Sequence, residues 1–329
     1  MNEKIIICDC DHENIKIEED IFDKYNKKFK LLKCKNQEDV INQCQDAEVI
    51  INQYVKLDEH AFKKLPSLKL IIRYGVGVDN IDIEGATKFG IQVCNVPDYG
   101  LNEVADHAAS LLLSLYRNVW LLGNDTKKHN WDYSNGNKIK RAENLTVGII
   151  GTGRIGRQFA KRIHAFNFKI VAFDKFYYDN TNENERPEYI EYVSSIDELI
   201  EKSDFVSLHC GLNEGNKYLV DKNFISKMKD GAYLINVSRG GLVNEPDLYD
   251  ALNSGKLAGA GLDTFNTEPI EYDNPLLTLD NCIITPHSAW YSEDAFNQLK
   301  KDCAMLAVEF LNGNLYKNQY KKNLVNSVS

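Results

Sequence analysis

The segment Leu145-Thr146-Val147-Gly148-Ile149-Ile150 runs directly into Gly151-Thr152-Gly153-Arg154-Ile155-Gly156. Its first half is an apolar, β-branched run of strand length, and its second half spaces glycines as G-x-G-x-x-G. Glycines punctuate many loops, so the spacing alone is a weak signal. Here the surrounding context is complete. A helical pattern follows over residues 154–166, then a second strand pattern over residues 169–173 that ends at Asp174. In such a unit Gly151 permits a tight turn, Gly153 lets the backbone approach a pyrophosphate, and Gly156 allows the helix to pack close to the strand. The helix start adds free N–H groups and a partial positive charge. Asp174 lies about 20 residues beyond the last glycine, where a carboxylate accepts hydrogen bonds from ribose hydroxyls and repels a 2′-phosphate. Lys175 offsets that repulsion slightly. The unit predicts a bound dinucleotide, NAD rather than NADP.

Outward from this unit, short apolar runs alternate with amphipathic stretches. Strand patterns fall at residues 4–8, 29–32, 47–51, 68–72 and 92–94 before it, and at 205–208, 232–236, 258–262 and 282–285 after it. This rhythm predicts α/β architecture with parallel, buried strands. The longest helical pattern covers residues 102–122, with Leu111, Leu112, Leu115 and Val119 on one face, Pro97 and Gly100 before it, and Asn102 as a cap. Residues 123–144 read as a polar connection, 180–188 as a solvated loop, and 292–312 as a final helix. The glycine unit comes late, so a whole α/β unit precedes it. The expected fold is two doubly wound domains, with a Rossmann NAD-binding domain over residues 101–289. That domain is inserted into a flavodoxin-like substrate domain made of residues 1–100 and completed by 290–329.

Composition narrows the function. Hydrophobic residues make up 43% and charged residues 26%, as in ordinary globular chains. A net charge of −9 argues against non-specific nucleic-acid binding, which depends on neutralising phosphates. No stretch approaches the roughly 20 apolar residues of a membrane span. Ile5-Ile6-Ile7-Cys8 is too short for a signal sequence and reads as a strand. The eight cysteines are scattered with no CxxC pair, which predicts reduced thiols and a cytoplasmic location. Cys8-Asp9-Cys10 has nothing nearby to complete a ligand set, so no metal is expected.

Three later segments place polar residues just past apolar strands, the edge where doubly wound sheets bind ligands. They are Leu234-Ile235-Asn236-Val237-Ser238-Arg239-Gly240-Gly241, Gly261-Leu262-Asp263-Thr264-Phe265-Asn266-Thr267-Glu268-Pro269 and Ile284-Thr285-Pro286-His287-Ser288-Ala289-Trp290. Singly, Arg239 reads equally well as a surface ion-pair partner, Glu268 as a solvated loop residue and His287 as a turn histidine. Together with Tyr74-Gly75-Val76-Gly77-Val78-Asp79-Asn80-Ile81-Asp82 and the glycine unit, they resemble the D-isomer-specific 2-hydroxyacid dehydrogenases over nearly the whole chain. Within that family the sequence looks closest to the branch containing the C-terminal-binding proteins. The closer match lies in Leu208-His209-Cys210-Gly211-Leu212-Asn213-Glu214, Pro286-His287-Ser288-Ala289-Trp290-Tyr291-Ser292-Glu293, Cys94-Asn95-Val96-Pro97 and Leu115-Tyr116-Arg117.

The resemblance implies an NAD-dependent enzyme that interconverts a 2-oxo acid and a D-2-hydroxy acid. It makes His287 the proton donor and acceptor, Glu268 the partner that orients it, and Arg239 the clamp on the substrate, roles that suit these side chains. It assigns cofactor contacts to Arg154, Ile155 and Asp174, with Val104, Cys210, Asn216, Val237 and Asp263 as further candidates, Asp263 reaching the nicotinamide carboxamide. It places the substrate carboxylate on the backbone around Val76 and Gly77. Arg73 and Trp290 match substrate-lining positions of the closer branch, which implies an acid with an apolar or thioether side chain. The bland readings are a strand-end cation for Arg73 and interdomain packing for Trp290. The family often has Asp at Asn244, an acidic residue at Asn266 and a small residue at Tyr74, and Tyr74 is expected to narrow the pocket. Family members usually pair as homodimers through the cofactor domain, with the 102–122 helix, Trp120 and the Trp131 loop as the candidate contact. Competing readings are an NAD(H)-sensing binding protein of the C-terminal-binding-protein type, and a phosphoglycerate or glyoxylate dehydrogenase.

Overall fold

Strands buried on both faces cannot alternate polar with apolar residues, so they appear in sequence as unbroken apolar runs. Such runs build both sheets of the computed structural model, which describes residues 4–182 and 185–328. The chain divides into two compact units. One comprises the chain up to Gly100 together with Ser292 onward, and the other is Leu101–Tyr291.

The first unit holds a five-stranded parallel sheet of β1 (Ile5–Ile7), β2 (Phe29–Leu31), β3 (Val49–Asn52), β4 (Leu70–Arg73) and β5 (Gln92–Cys94), in the order β2-β1-β3-β4-β5. This is the flavodoxin-like order. Helices α1 (Lys16–Lys24), α2 (Gln37–Gln43), α3 (Glu59–Lys64) and α4 (Ile83–Lys88) connect the strands. The pleat sorts side chains by parity. Ile6, Ile50 and Ile71 join one core, whereas Ile5, Ile7, Ile51 and Ile72 join the other. The second core is completed by Leu299, Cys303, Ala304 and Ala307 of the C-terminal helix, Glu293–Leu311. Ser292 caps that helix by accepting the Ala295 N–H at 3.0 Å. Beyond it, Leu324 bridges to Cys94 and the Val325 N–H bonds to the Val93 carbonyl at 2.9 Å, covering the β5 edge.

The second unit holds a seven-stranded parallel sheet, made of β6 (Thr146–Ile150), β7 (Lys169–Phe173), β8 (Glu191–Tyr192), β9 (Phe205–Leu208), β10 (Ala232–Asn236), β11 (Leu257–Leu262) and β12 (Cys282–Ile284). Its order, β12-β11-β10-β9-β6-β7-β8, is the Rossmann winding with one further strand. The helices are α5 (Leu101–Tyr116), α6 (Val119–Lys127), α7 (Arg154–His164), α8 (Lys175–Asn180), α9 (Ile196–Lys202), α10 (Lys222–Lys227) and α11 (Glu245–Asn253). α5 packs on the sheet through Leu111, Leu112 and Leu115, beside Phe159 and Ile163 of α7. No helix among the described residues is long and apolar enough to cross a membrane.

Three expectations change. The 102–122 helix is two helices, because Asn118 adopts a left-handed conformation with φ 54° and ends the first. Asn118 is buried, and its amide donates to the Asn137 carbonyl at 2.8 Å. Asn102 lies inside α5 and caps nothing. The two-residue β8 has no apolar run to announce it. Part of the expected 180–188 loop, residues 183–184, lies outside the described residues. Its flank at Arg186 is tied back, donating to the carbonyls of Tyr178 and Thr181 with its guanidinium 3.7 Å from the Tyr178 ring centre.

The break at Asn118 is testable. Asn118→Ala puts a side chain that disfavours the left-handed region at a cost of about 1–2 kcal/mol and deletes a bond worth about 1 kcal/mol. Asn118→Gly deletes only the bond. Urea unfolding should therefore show a larger loss for the alanine variant. Equal losses would mean that the backbone conformation is not what selects asparagine there.

Candidate active site

The glycine loop is shaped by what each glycine faces. Gly151 turns with φ +94°, and a Cβ there would stand 2.7 Å from the His209 carbonyl carbon. A Cβ on Gly156 would stand 2.1 Å from the Gly151 carbonyl oxygen, so α7 starts in direct contact with the turn. A Cβ on Gly153 would meet nothing within 4 Å. Gly153 thus forms the open side of a cradle that any larger residue would begin to fill. α7 presents its N–H groups there without an acidic residue in its first turn, while Lys161, Arg162 and His164 occupy its last turn. Arg154 and Ile155 open that first turn.

Asp174 follows β7, beside this loop. The Thr152 N–H donates to its Oδ2 at 2.7 Å and the Tyr177 N–H to its Oδ1 at 3.0 Å. The Thr152 hydroxyl also donates to Oδ2, at 3.3 Å, so the carboxylate is fixed in direction and Oδ1 retains a lone pair for a ribose hydroxyl. Open glycine, helix start and oriented carboxylate together fit NAD. His209, which reasoning from sequence left without a role, lies beside them, as do the further cofactor candidates Cys210, Asn216, Val237 and Val104. His209 is partly buried after β9, its Nε2 2.9 Å from the Ser207 hydroxyl and its ring 4.7 Å from that of Phe159. Burial pushes its pKa down to about 3, so the ring stays neutral beneath the Gly151 turn. Cys210 is partly buried, which pushes its thiol up to about 11 and leaves it protonated. Asn216 donates to the Gly211 carbonyl and accepts from the Asn213 N–H, both at 2.7 Å, so it shapes the loop beside Cys210. Val237 is buried and Val104 partly buried in the core under α5.

The polar trio assembles at the adjoining strand ends. A Cβ on Gly240 would lie 1.9 Å from the Phe265 carbonyl carbon, so the Arg239 loop presses against the segment that leads to Glu268. The Asn236 amide holds the Arg239 carbonyl at 2.9 Å. Glu268 Oε1 accepts the Phe265 N–H at 2.9 Å, and Oε2 lies 2.6 Å from His287 Nδ1. Burial opposes charge on Glu268, but the hydrogen bond and charge of His287, the Phe265 N–H and the Arg239 guanidinium outweigh it and hold the carboxyl below the usual range. His287 has φ +51°, which is rare for a residue with a side chain. Its N–H donates to the carbonyls of Asp263 and Thr285, at 2.9 and 3.1 Å.

Asp263 is 1% exposed and organises that loop. Its carboxylate accepts from the N–H groups of Ser288 and Ala289, each at 2.9 Å, and from the Thr285 hydroxyl at 2.6 Å. His107 of α5, which has no motif around it in the sequence, places Nε2 2.9 Å from the same hydroxyl. Trp290 packs edge-on against Tyr291, with centroids 5.6 Å apart. The two asparagines that replace acidic residues are used locally. Asn244 caps α11, and Asn266 is held by the Glu245 carboxylate at 2.7 Å.

In the first unit, Arg73 ends β4 and its guanidinium donates to the Tyr74 carbonyl, folding over Gly75, which turns with φ +143°. The Asn95 amide holds the Val76 carbonyl at 2.6 Å. The N–H groups of Val76 and Gly77 have no hydrogen-bond partner among the described residues. Tyr74 does not narrow a pocket, contrary to expectation. Its side chain is 2% exposed and turns into the core, where the hydroxyl donates to Glu18. Among the described residues no group of three His, Cys, Asp or Glu side chains is arranged to hold a metal.

Comparison with known proteins agrees with this geometry. Residues 109–289 match the family model for the D-isomer specific 2-hydroxyacid dehydrogenase NAD binding domain. The hydroxypyruvate reductase of Blautia hydrogenotrophica is 37% identical over 289 residues, covering 84% of this chain and 86% of that protein. The D-3-phosphoglycerate dehydrogenase of Methanocaldococcus jannaschii is also 37% identical, over 296 residues. That match covers 89% of this chain, which spans 54% of the longer relative. The solved D-lactate dehydrogenase of Aquifex aeolicus, in complex with NAD and lactic acid, matches with a TM-score of 0.88 at 31% identity, covering 99% of this chain and 100% of that one. The chain belongs to the D-isomer specific 2-hydroxyacid dehydrogenase family.

Proposed function

We propose that His287, Glu268 and Arg239 carry the chemistry of this NAD-dependent D-2-hydroxyacid dehydrogenase, which interconverts a 2-oxo acid and a D-2-hydroxy acid. The reading rests on the 2.6 Å contact between His287 Nδ1 and Glu268 Oε2. With Nδ1 engaged by the carboxylate, Nε2 is the nitrogen left to give a proton to a substrate carbonyl oxygen, or to take one from a hydroxyl. Glu268 fixes the ring's tautomer and direction. Arg239 would bind the substrate carboxylate and steady charge developing on the carbonyl oxygen. NAD, when bound, supplies the hydride chemistry. Gly151, Gly153, Arg154, Ile155, Gly156 and Asp174 would hold its phosphates and adenosine ribose. Val104, Cys210, Asn216 and Val237 would line the rest of its site. Asp263 would act on the nicotinamide side while holding the histidine loop.

The unpartnered N–H groups of Val76 and Gly77 suit a carboxylate, and we assign them, with Arg73 and Trp290, to substrate recognition. The substrate is then a small 2-oxo acid whose side chain rests on Trp290. The exposed Trp120, Trp131 and Tyr133 support a homodimer formed through the second unit, which would weigh twice the chain mass in solution. The eight free thiols suit a reducing, cytoplasmic setting.

The decisive experiment is NADH oxidation against pyruvate, glyoxylate, hydroxypyruvate, phenylpyruvate and 4-methylthio-2-oxobutyrate. Turnover of at least one supports the reading. NADH binding without any turnover overturns it in favour of an NAD(H)-sensing protein. His287→Ala should lower kcat by about 10²–10⁴-fold. Asp174→Ala should raise the KM for NADH by about tenfold, with a smaller change for NADPH, as loss of a charge-assisted bond implies. Unchanged selectivity would remove Asp174 from the ribose site.

The pair also sets an acid limit on stability. Glu268 is held below its unfolded value of about 4.3, so its contribution is complete above that pH and is lost as pH falls through the lowered folded value. Urea unfolding between pH 3 and 5 should show a shallower acid-side loss for Glu268→Gln than for the unaltered protein. Parallel profiles would sink this account of the pair.

A further inference from the structure

Behind the Tyr74-Gly75-Val76-Gly77 turn lies a buried polar cluster with no part in the chemistry described above. The Tyr74 hydroxyl donates to Glu18 Oε1 at 2.8 Å. Glu18, on α1, is fully buried, and its Oε2 lies 3.6 Å from Nζ of Lys300 on the C-terminal helix. Lys300 is 3% exposed, donates to the Asn14 carbonyl and lies 5.1 Å from the Phe296 ring centre. The side chain of His12 is 1% exposed and stands edge-on to both Tyr74 and Phe296, at 4.7 and 4.8 Å. Its Nδ1 is 3.7 Å from Glu18 Oε1, and neither ring nitrogen has a hydrogen-bond partner among the described residues.

Such a cluster is a poor way to gain stability. Taking two charges out of water opposes most of their attraction, and apolar side chains of the same volume hold helices to a sheet at least as well. What a hydrogen-bonded charge adds is direction. The Tyr74 backbone is already held on one side, its N–H donating to the Asn52 carbonyl at 2.8 Å, and the Gly75 carbonyl accepts the Val96 N–H at 3.0 Å. The grip of Glu18 on the hydroxyl fixes the remaining freedom of the residue that leads into the turn.

We propose that Glu18 is a positioning residue for substrate: by holding the Tyr74 hydroxyl it sets the aim of the Val76 and Gly77 N–H groups at the substrate carboxylate, with Lys300 supplying the opposite charge. The proposal rests on the reading of that turn as the carboxylate cradle.

The test is steady-state kinetics of the unaltered protein, Tyr74→Phe, Glu18→Gln and the double variant, with KM measured separately for the best 2-oxo acid and for NADH. Tyr74→Phe keeps the ring and its packing and leaves Glu18 paired with Lys300, so it carries the test even if Glu18→Gln folds poorly. The KM for the acid should rise about tenfold in Tyr74→Phe, with kcat and the KM for NADH nearly unchanged, as loss of uniform ground-state binding requires. The double variant should be no worse than the poorer single, because both act on one linkage. A folded Tyr74→Phe protein with an acid KM within twofold of the unaltered value overturns the proposal. So does a parallel rise in both KM values, which marks general loosening. Failure of the unaltered protein to turn over any 2-oxo acid overturns the underlying reading of the site, and the proposal with it.

Discussion

A parallel strand buried on both faces has no flank on which to display polar chemistry. Only its carboxyl end is free, and in the second unit six adjacent strands use that end. Asp174 follows β7, Gly151 follows β6 and His209 follows β9, while Arg239, Asp263 and His287 come just past β10, β11 and β12. Sheet order then sets neighbourhood. The dinucleotide-fitting loop sits at the centre, and the proton-handling pair sits toward the β12 edge. The burial that makes the strands readable as apolar runs is also what drives the functional groups into one row.

Within that row the side chains are held by backbone more than by one another. Asp263 takes two N–H groups and a hydroxyl from the segment that carries His287, and the His287 N–H returns to the Asp263 carbonyl. This reciprocal clasp sustains a left-handed φ at His287 that an unsupported loop would relax. Gly240 plays a comparable part for Arg239, because its missing Cβ lets two loops touch. The site is therefore precise without any of its three principal residues being deeply buried.

What could be read from sequence was what is local. The glycine unit, each strand and each of the three polar segments lie within a dozen residues, so spacing and strand-end position expose them. Other features depend on contacts distant in sequence. Tyr74 looked like a bulky residue beside a pocket because nothing near it announces Glu18, which it meets across the core. His107 sits in an ordinary helical pattern, and only the fold brings it to Thr285. Asn118 was hidden for another reason: the apolar spacing continues through it, while its left-handed backbone and buried amide leave no mark on that spacing. β8 is too short and too polar to stand out from a loop.

The division of the first unit bears on how the chain matures during synthesis. Leu101–Tyr291 is continuous, so its sheet and both its cores are available once that stretch has left the ribosome. The first 100 residues emerge earlier yet lack Leu299, Cys303, Ala304 and Ala307 from one face of their sheet, and Leu324 and Val325 from its β5 edge, until the stretch that follows Tyr291 has been made. During that interval an apolar sheet face and an unpaired strand edge stand open, the two surfaces most prone to association between chains. Of the two units, the one begun earlier is the one completed later. Chaperone demand should accordingly fall on the N-terminal half of the nascent chain rather than on the dinucleotide fold.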